Sequence, residues 1–109
     1  MSADSALLVR AAEAAGYEVI RDRIQGLAET GFMIKREGVR QTMWNPLTSD
    51  ADAFALMVDM TISVDSSKYM IDAFVPDAEG SAQESVNEAQ DPREATRRAI
   101  VRAAAGDEK

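Results

Sequence analysis

Oxygen-bearing side chains near the centre of this sequence are its most promising chemical groups. Asp50 and Asp52 stand two residues apart, with Thr48 before them and Asp59 after them. Carboxylate and hydroxyl oxygens are the ligands of hard cations such as Mg²⁺ and Ca²⁺. A calcium loop that began at Asp50 would need Gly at its sixth position, where Ala55 stands instead. The spacing therefore favours helix capping, and we expect no metal site and no cofactor.

Two residue types that carry much enzyme chemistry are missing, since the 109 residues include no histidine and no cysteine. Imidazole is the commonest general base near neutral pH, and the thiolate is the nucleophile of cysteine enzymes. Asp and Glu are abundant, but no pair stands out as general acid and base, and the scattered glycines form no phosphate-binding loop. We expect a protein that is not an enzyme, with a carboxylate-dependent hydrolase as the remaining catalytic alternative.

Acidic residues dominate the middle of the chain. Nineteen Asp and Glu against twelve Lys and Arg give a net charge of -7, and from Asp50 to Asp91 ten acids face Lys68 alone. Solubility is the general interpretation of such charge. The sharper interpretation is an acidic face that binds a basic partner, with salt-dependent association. The predicted partner-binding residues are Asp50, Asp52, Asp59, Asp77, Glu79, Glu84 and Glu88.

Arginines gather near the C-terminus, at Arg93, Arg97, Arg98 and Arg102. Their i, i+4 spacing places them along one helix, where such a row could contact the phosphates of a nucleic acid. Aromatic residues for base stacking are absent from this segment, and the rest of the chain is acidic. The favoured interpretation is a solvated helix face whose positive charges balance the acids of residues 77–91, and nucleic-acid binding is the alternative.

The junction that organises the chain follows Trp44. Pro46 cannot donate to a sheet ladder and pushes Asn45 out of the helical region, so a strand must end here. Three candidate N-cap residues follow in a row from Thr48 to Asp50. A lone Trp at the end of a strand is typically a core residue, with an interface anchor as the alternative.

Hydrophobic periodicity and turn residues predict the element order α-β-β-β-α-β-β-α. The predicted helices begin at residue 4 or 5, at 49 and at 91, and the predicted strands cover residues 17–24, 32–36, 39–44, 61–64 and 69–75. The first strand also fits a helical period. We predict one α+β domain over residues 1–109, with three helices packed on a mostly antiparallel sheet of four to five strands. Residues 77–90 predict an acidic mobile loop, and residues 106–109 a frayed tail.

Two segments together resemble a known family. Residues 44–54, WNPLTSDADAF, and residues 95–104, ATRRAIVRAA, are similar to the phage ABA-sandwich domain of small phage and prophage proteins. Its members share an opening helix that ends in Gly, as at Gly16, a Trp-x-Pro before an acidic helix start, and a closing Ala/Arg helix. The resemblance spans about residues 12–104. It implies a helix-sheet-helix sandwich and a phage origin, and it brings no established activity.

These patterns predict a non-enzymatic phage or prophage accessory protein that binds a host protein or complex through its acidic face. An inhibitor of a host nucleic-acid-handling or defence complex, of the anti-CRISPR or anti-restriction type, is the specific form of this hypothesis. The sequence has no apolar run long enough to span a membrane, and the lack of cysteine favours a reducing compartment, so we expect the bacterial host cytoplasm. Exposed hairpin edges are compatible with a homodimer.

Overall fold

The computed structural model describes residues 3–20, 32–35, 42–67, 70–75, 82–85 and 91–106. These residues form three helices and six short strands, and the predicted α+β class is confirmed. In chain order they are α1 (Ala3–Ala14), β1 (Glu18–Val19), β2 (Phe32–Lys35), β3 (Thr42–Trp44), α2 (Asp50–Asp59), β4 (Ser63–Ser66), β5 (Met70–Phe74), β6 (Ala82–Ser85) and α3 (Pro92–Ala105).

The strands form two antiparallel sheets, one with the order β1-β2-β3 and the other with the order β4-β5-β6. The predicted single sheet of four to five strands is not confirmed. The chain leaves the first sheet at Asn45-Pro46, where the ladder cannot continue, and α2 then separates β3 from β4. β4 pairs with β5 through Val64 and Ala73, so the second hairpin starts a sheet of its own.

The strand β6 was not predicted, since the sequence indicated a mobile loop across residues 77–90. In the structure Ala82 is fully buried and pairs with Ala73 of β5. Alanine is a weak strand former, and β6 has no second apolar residue to mark an alternating pattern. Its pairing therefore depends on tertiary contacts that local sequence does not reveal. The remaining residues of that predicted loop, and residues 107–109 of the predicted tail, lie outside the described residues.

The helix α3 is the central element of the fold, because α1, α2, β4, β5 and β6 all pack against it. Its start is well specified: the Asp91 carboxylate caps the helix by accepting from the Arg93 backbone N–H at 2.9 Å, and Pro92 takes the first position. Gly106 ends it in the left-handed region, with φ of 77°. Both ends lie where the sequence predicts them.

Small side chains line the contact between α1 and α3. Ala11 and Ala12 of α1 and Ala95 and Ala99 of α3 are fully buried. Alanines at a helix–helix contact let the two axes approach closely, so little space remains for a larger side chain.

Larger residues fill the core on either side of these helices. The fully buried side chains include Leu8, Ile34, Leu56 and Val101. Trp44 is buried as well, and the Tyr17 ring meets it edge-on with centroids 5.7 Å apart. Trp44 is therefore a core residue, as its position at the end of a strand predicts.

Substitution of Ala99 by Leu tests the close approach of α1 and α3. We expect Ala99→Leu to lower the free energy of unfolding by about 1–3 kcal/mol, because the larger side chain overpacks a filled core. Urea unfolding measures the change. Ala51→Leu, at an exposed position of α2, is the matched control and should stay within about 0.5 kcal/mol of the parent. Equal effects in both variants would contradict the packing described here.

Candidate functional site

Three of the four arginines of α3 are bonded to other parts of the fold. Arg97 donates from Nε to the Leu47 carbonyl at 2.9 Å and from Nη1 to the Asp50 carboxylate at 2.6 Å. Its side chain is only 16% exposed. These two bonds hold α3 against the junction that precedes α2.

Arg98 connects α3 with the first helix, donating to the Asp4 carboxylate at 2.9 Å. This hydrogen bond raises the pKa of Arg98 above its ordinary value, although partial burial of the guanidinium opposes the rise. The group therefore stays charged across the whole physiological pH range. Asp4 also lies in the first turn of α1, where a negative charge stabilises the helix dipole.

Arg102 is the buried member of the row, with 6% of its surface exposed. It donates to the Gln83 carbonyl at 2.6 Å and to the Glu84 carboxylate, and both acceptors belong to β6. A buried charge is stabilised only when its partners are well placed, and removal of one partner leaves the other uncompensated. This ion pair is therefore the main polar attachment of β6 to α3 among the described residues.

Arg93 differs from the other three arginines. Its side chain is 77% exposed, and the Asp91 carboxylate lies 3.9 Å from its Nε. Because the other three guanidinium groups donate to protein atoms, few of their N–H groups are available to bind phosphate. The arrangement favours a structural role for Arg97, Arg98 and Arg102.

Those acids of the predicted acidic face that the structure describes also make contacts with other parts of the fold. Asp50 and Glu84 pair with arginines of α3, as given above. Asp52 accepts from the Asn45 backbone N–H at 2.9 Å, and Asp59 accepts from the Tyr17 hydroxyl. Each of these four carboxylates thus has a structural contact in addition to any surface role. Asp77, Glu79 and Glu88 lie outside the described residues.

The structure brings together two other carboxylates, Asp65 and Asp72, which we call the acidic pair. They are directly opposite each other in the β4–β5 ladder. Opposite residues in an antiparallel pair share one face of the sheet, with Cβ atoms about 4.5–5.5 Å apart, and like charges there are destabilising. Oδ1 of Asp72 is shielded from solvent and has no hydrogen-bond partner among the described residues.

The acidic pair lies on the face of the second sheet that points away from the core. Successive strand residues point to opposite faces, and Ile71 and Ala73 are the buried ones. Asp72 therefore shares its face with Met70 and with Phe74, which is 40% exposed. We call this surface the outer face of the second sheet.

The acidic pair was not predicted, because the predicted strands over residues 61–64 and 69–75 leave Asp65 in the turn between them. The structure pairs Ser66 with Ile71, so β4 continues through Asp65 and the turn comes later. Once Ser66 is paired with Ile71, counting one residue back along β4 and one residue forward along β5 reaches Asp65 and Asp72. Only the turn position was needed to find it.

Other kinds of site find little support in the part of the chain that the structure describes. No group of three or more Asp, Glu, His or Cys side chains is arranged there to hold a metal ion. The helices described are also too short or too polar to cross a membrane.

Comparisons with protein-family models, with curated proteins and with solved structures each returned no match. The resemblance to the phage ABA-sandwich domain accordingly stays a prediction from the sequence.

Truncation of Arg102 tests the buried ion pair. We expect Arg102→Met to lower the free energy of unfolding by about 3 kcal/mol or more, because Glu84 would then lack its cation. Arg93→Met, at the exposed position of the same helix, should change it by less than about 0.5 kcal/mol. Denaturant unfolding compares the two variants.

A double variant separates the ion pair from simple packing. Arg102→Met combined with Glu84→Leu should recover most of the lost stability, since no uncompensated charge remains. If the double variant were less stable than Arg102→Met alone, the ion pair would not account for the loss.

Proposed function

We propose that this chain is a non-enzymatic binding protein whose partner is a macromolecule with a basic surface. The observation that carries the proposal is the acidic pair, in which two carboxylates face each other across a strand ladder. Such an arrangement costs stability in the free protein. A cationic side chain placed between the two carboxylates would offset that repulsion, because it attracts both of them.

The charge distribution around the acidic pair supports a basic partner. Residues 42–67 and 70–75 contain five aspartates and no Lys or Arg. One of them, Asp50, is paired with Arg97 of α3, whereas Asp65 and Asp72 form no ion pair with the described residues. The acidic pair therefore lacks a compensating cation among the described residues, which favours a cationic partner at the outer face of the second sheet.

An arginine or lysine of a partner fits the acidic pair better than a metal ion does. A hard cation would need further oxygen ligands, and no third acidic group joins the pair among the described residues. A guanidinium or ammonium group can bind both carboxylates by charge-assisted hydrogen bonds to their accessible oxygens. Phe74 on the same face offers apolar contact to the stem of such a side chain.

The family resemblance gives this proposal its specific form. In a phage or prophage setting, the basic surface belongs to a host nucleic-acid-handling or defence complex, and the acidic protein occupies the site that normally holds nucleic acid. Asp77, Glu79 and Glu88 add to the net negative charge of the chain, and their positions lie outside the described residues. Nucleic-acid binding through α3 is disfavoured, because three of its four arginines have protein partners.

Replacement of one member of the acidic pair should stabilise the free protein. We expect Asp65→Asn and Asp72→Asn each to raise the free energy of unfolding by about 0.2–1 kcal/mol, because either change removes the same repulsion. The double variant should gain little beyond one single variant, a non-additivity that urea unfolding measures. A loss of stability in both single variants would show that the two carboxylates do not repel.

Replacement of the acidic pair, which should stabilise the free protein, should weaken partner binding. The tagged protein is used to capture partners from nuclease-treated bacterial lysate at about 50 and 300 mM salt, with quantification by mass spectrometry. We expect the double variant Asp65→Asn/Asp72→Asn to retain about a tenth or less of a salt-sensitive protein partner, since close charge pairs across interfaces contribute 1.5 kcal/mol or more, or about tenfold.

The matched control removes two negative charges elsewhere. Glu18 on β1 and Glu94 on α3 are exposed, so Glu18→Gln/Glu94→Gln changes the net charge equally and leaves the acidic pair intact. Its capture should stay close to that of the parent. Equal losses in both double variants would point to net charge alone, and unchanged capture by the acidic-pair variant would reject the proposed contact.

A further inference from the structure

A shallow apolar groove lies between α2 and α3, with a volume of about 250 Å³. Its apolar lining comes from Ala53, Phe54 and Met57 of α2 and from Ile100 of α3. Phe54 is 62% exposed at its edge, and Val58, one turn further along α2, is 56% exposed. These are the two most exposed large apolar side chains in the described part of the chain.

The volume of the groove indicates what it can hold. Pockets for small molecules and cofactors usually measure about 300–1,000 Å³ and enclose most of their ligand. This groove is smaller and open, so it suits one or two apolar side chains from another protein surface. A surface with an exposed aromatic side chain beside such a groove has both a side chain that can insert and a groove that can receive one.

The charges at the groove are balanced, unlike those of the whole chain. Asp50 and Arg97 line it as an ion pair, and Arg93, which also lines it, lies beside Asp91. The lining itself carries one acid and two arginines, and Asp91 beside Arg93 brings the local charge to zero on a protein with a net charge of -7. A second copy of this chain, which carries the same negative charge, meets the least repulsion at such a neutral face.

We propose that the α2–α3 groove is the interface of a two-fold homodimer, with Phe54 of each copy inserted into the groove of the other. A two-fold axis brings the same patch of both copies together, so a patch that holds both a protruding aromatic and its receiving groove is self-complementary. Arg93, the least buried of the four arginines, lies at the rim of this patch in each copy. The dimer uses the helical face and not the hairpin edges that the sequence suggested.

This interface is separate from the acidic pair, which lies on the outer face of the second sheet. α3 packs against the opposite side of that sheet, where Ile71 and Ala73 are buried. The dimer and the proposed partner contact can therefore be tested independently, and failure of one leaves the other standing.

Sedimentation equilibrium of the full chain, from about 5 µM to 1 mM, tests the dimer, since small interfaces associate in this concentration range. We expect a monomer–dimer equilibrium in the parent protein. Phe54→Glu should raise the dissociation constant by about 30-fold or more, the effect of losing a central aromatic contact. Arg93→Glu should also weaken the dimer, because it makes the rim of both copies negative.

Phe74→Glu is the matched control, since Phe74 is also an exposed aromatic but lies on the outer face of the second sheet. It adds the same charge as Phe54→Glu and should leave the dissociation constant unchanged. Circular dichroism confirms that each variant is folded. A parent protein that stays monomeric at about 1 mM overturns the proposal, as does a dimer that Phe54→Glu leaves intact or that both Phe→Glu variants weaken equally.

Discussion

The buried ion pair between Arg102 and Glu84 is the contact on which much of the remaining structure depends. The Arg102 guanidinium donates to two residues of β6. Because β6 has only one apolar residue, Ala82, it is held mainly by its backbone hydrogen bonds to β5 and by the Arg102–Glu84 ion pair. Once β6 is in place, β5 has a neighbour on each side and presents Ile71 and Ala73 to α3. The central position of β5 in turn fixes which face of the sheet carries Asp72.

The arginines of α3 act as connectors between elements that are distant in sequence. Arg97 contacts the junction before α2, Arg98 contacts α1, and Arg102 contacts β6. An arginine suits this task because its rigid fork of donors satisfies a carbonyl and a carboxylate together. The acids that pair with them are structural for the same reason, so acidity in this chain has two roles. Some carboxylates complete the fold, and the acidic pair lies apart from them.

Sequence reasoning found the parts of this structure that local chemistry specifies. The caps of α3 and the end of β3 at Trp44 follow from side-chain oxygens, Pro and Gly acting on their own neighbours. It did not find β6, whose stability comes from Arg102 eighteen or more residues away. The acidic pair was missed for a related reason, because a displaced turn changes which residues face each other. Pairing across the chain, rather than local propensity, determines the candidate site.

The dependence of the fold on its last helix has a consequence for how the chain folds. Asp4 and Arg98 are joined across 94 residues, and α1, α2 and the second sheet all pack on α3, which follows them in the sequence. The segments that precede α3 therefore cannot complete the core by themselves, because their buried faces pack against α3. Because contacts of such long range must form before the core is complete, folding is slow relative to that of helical bundles.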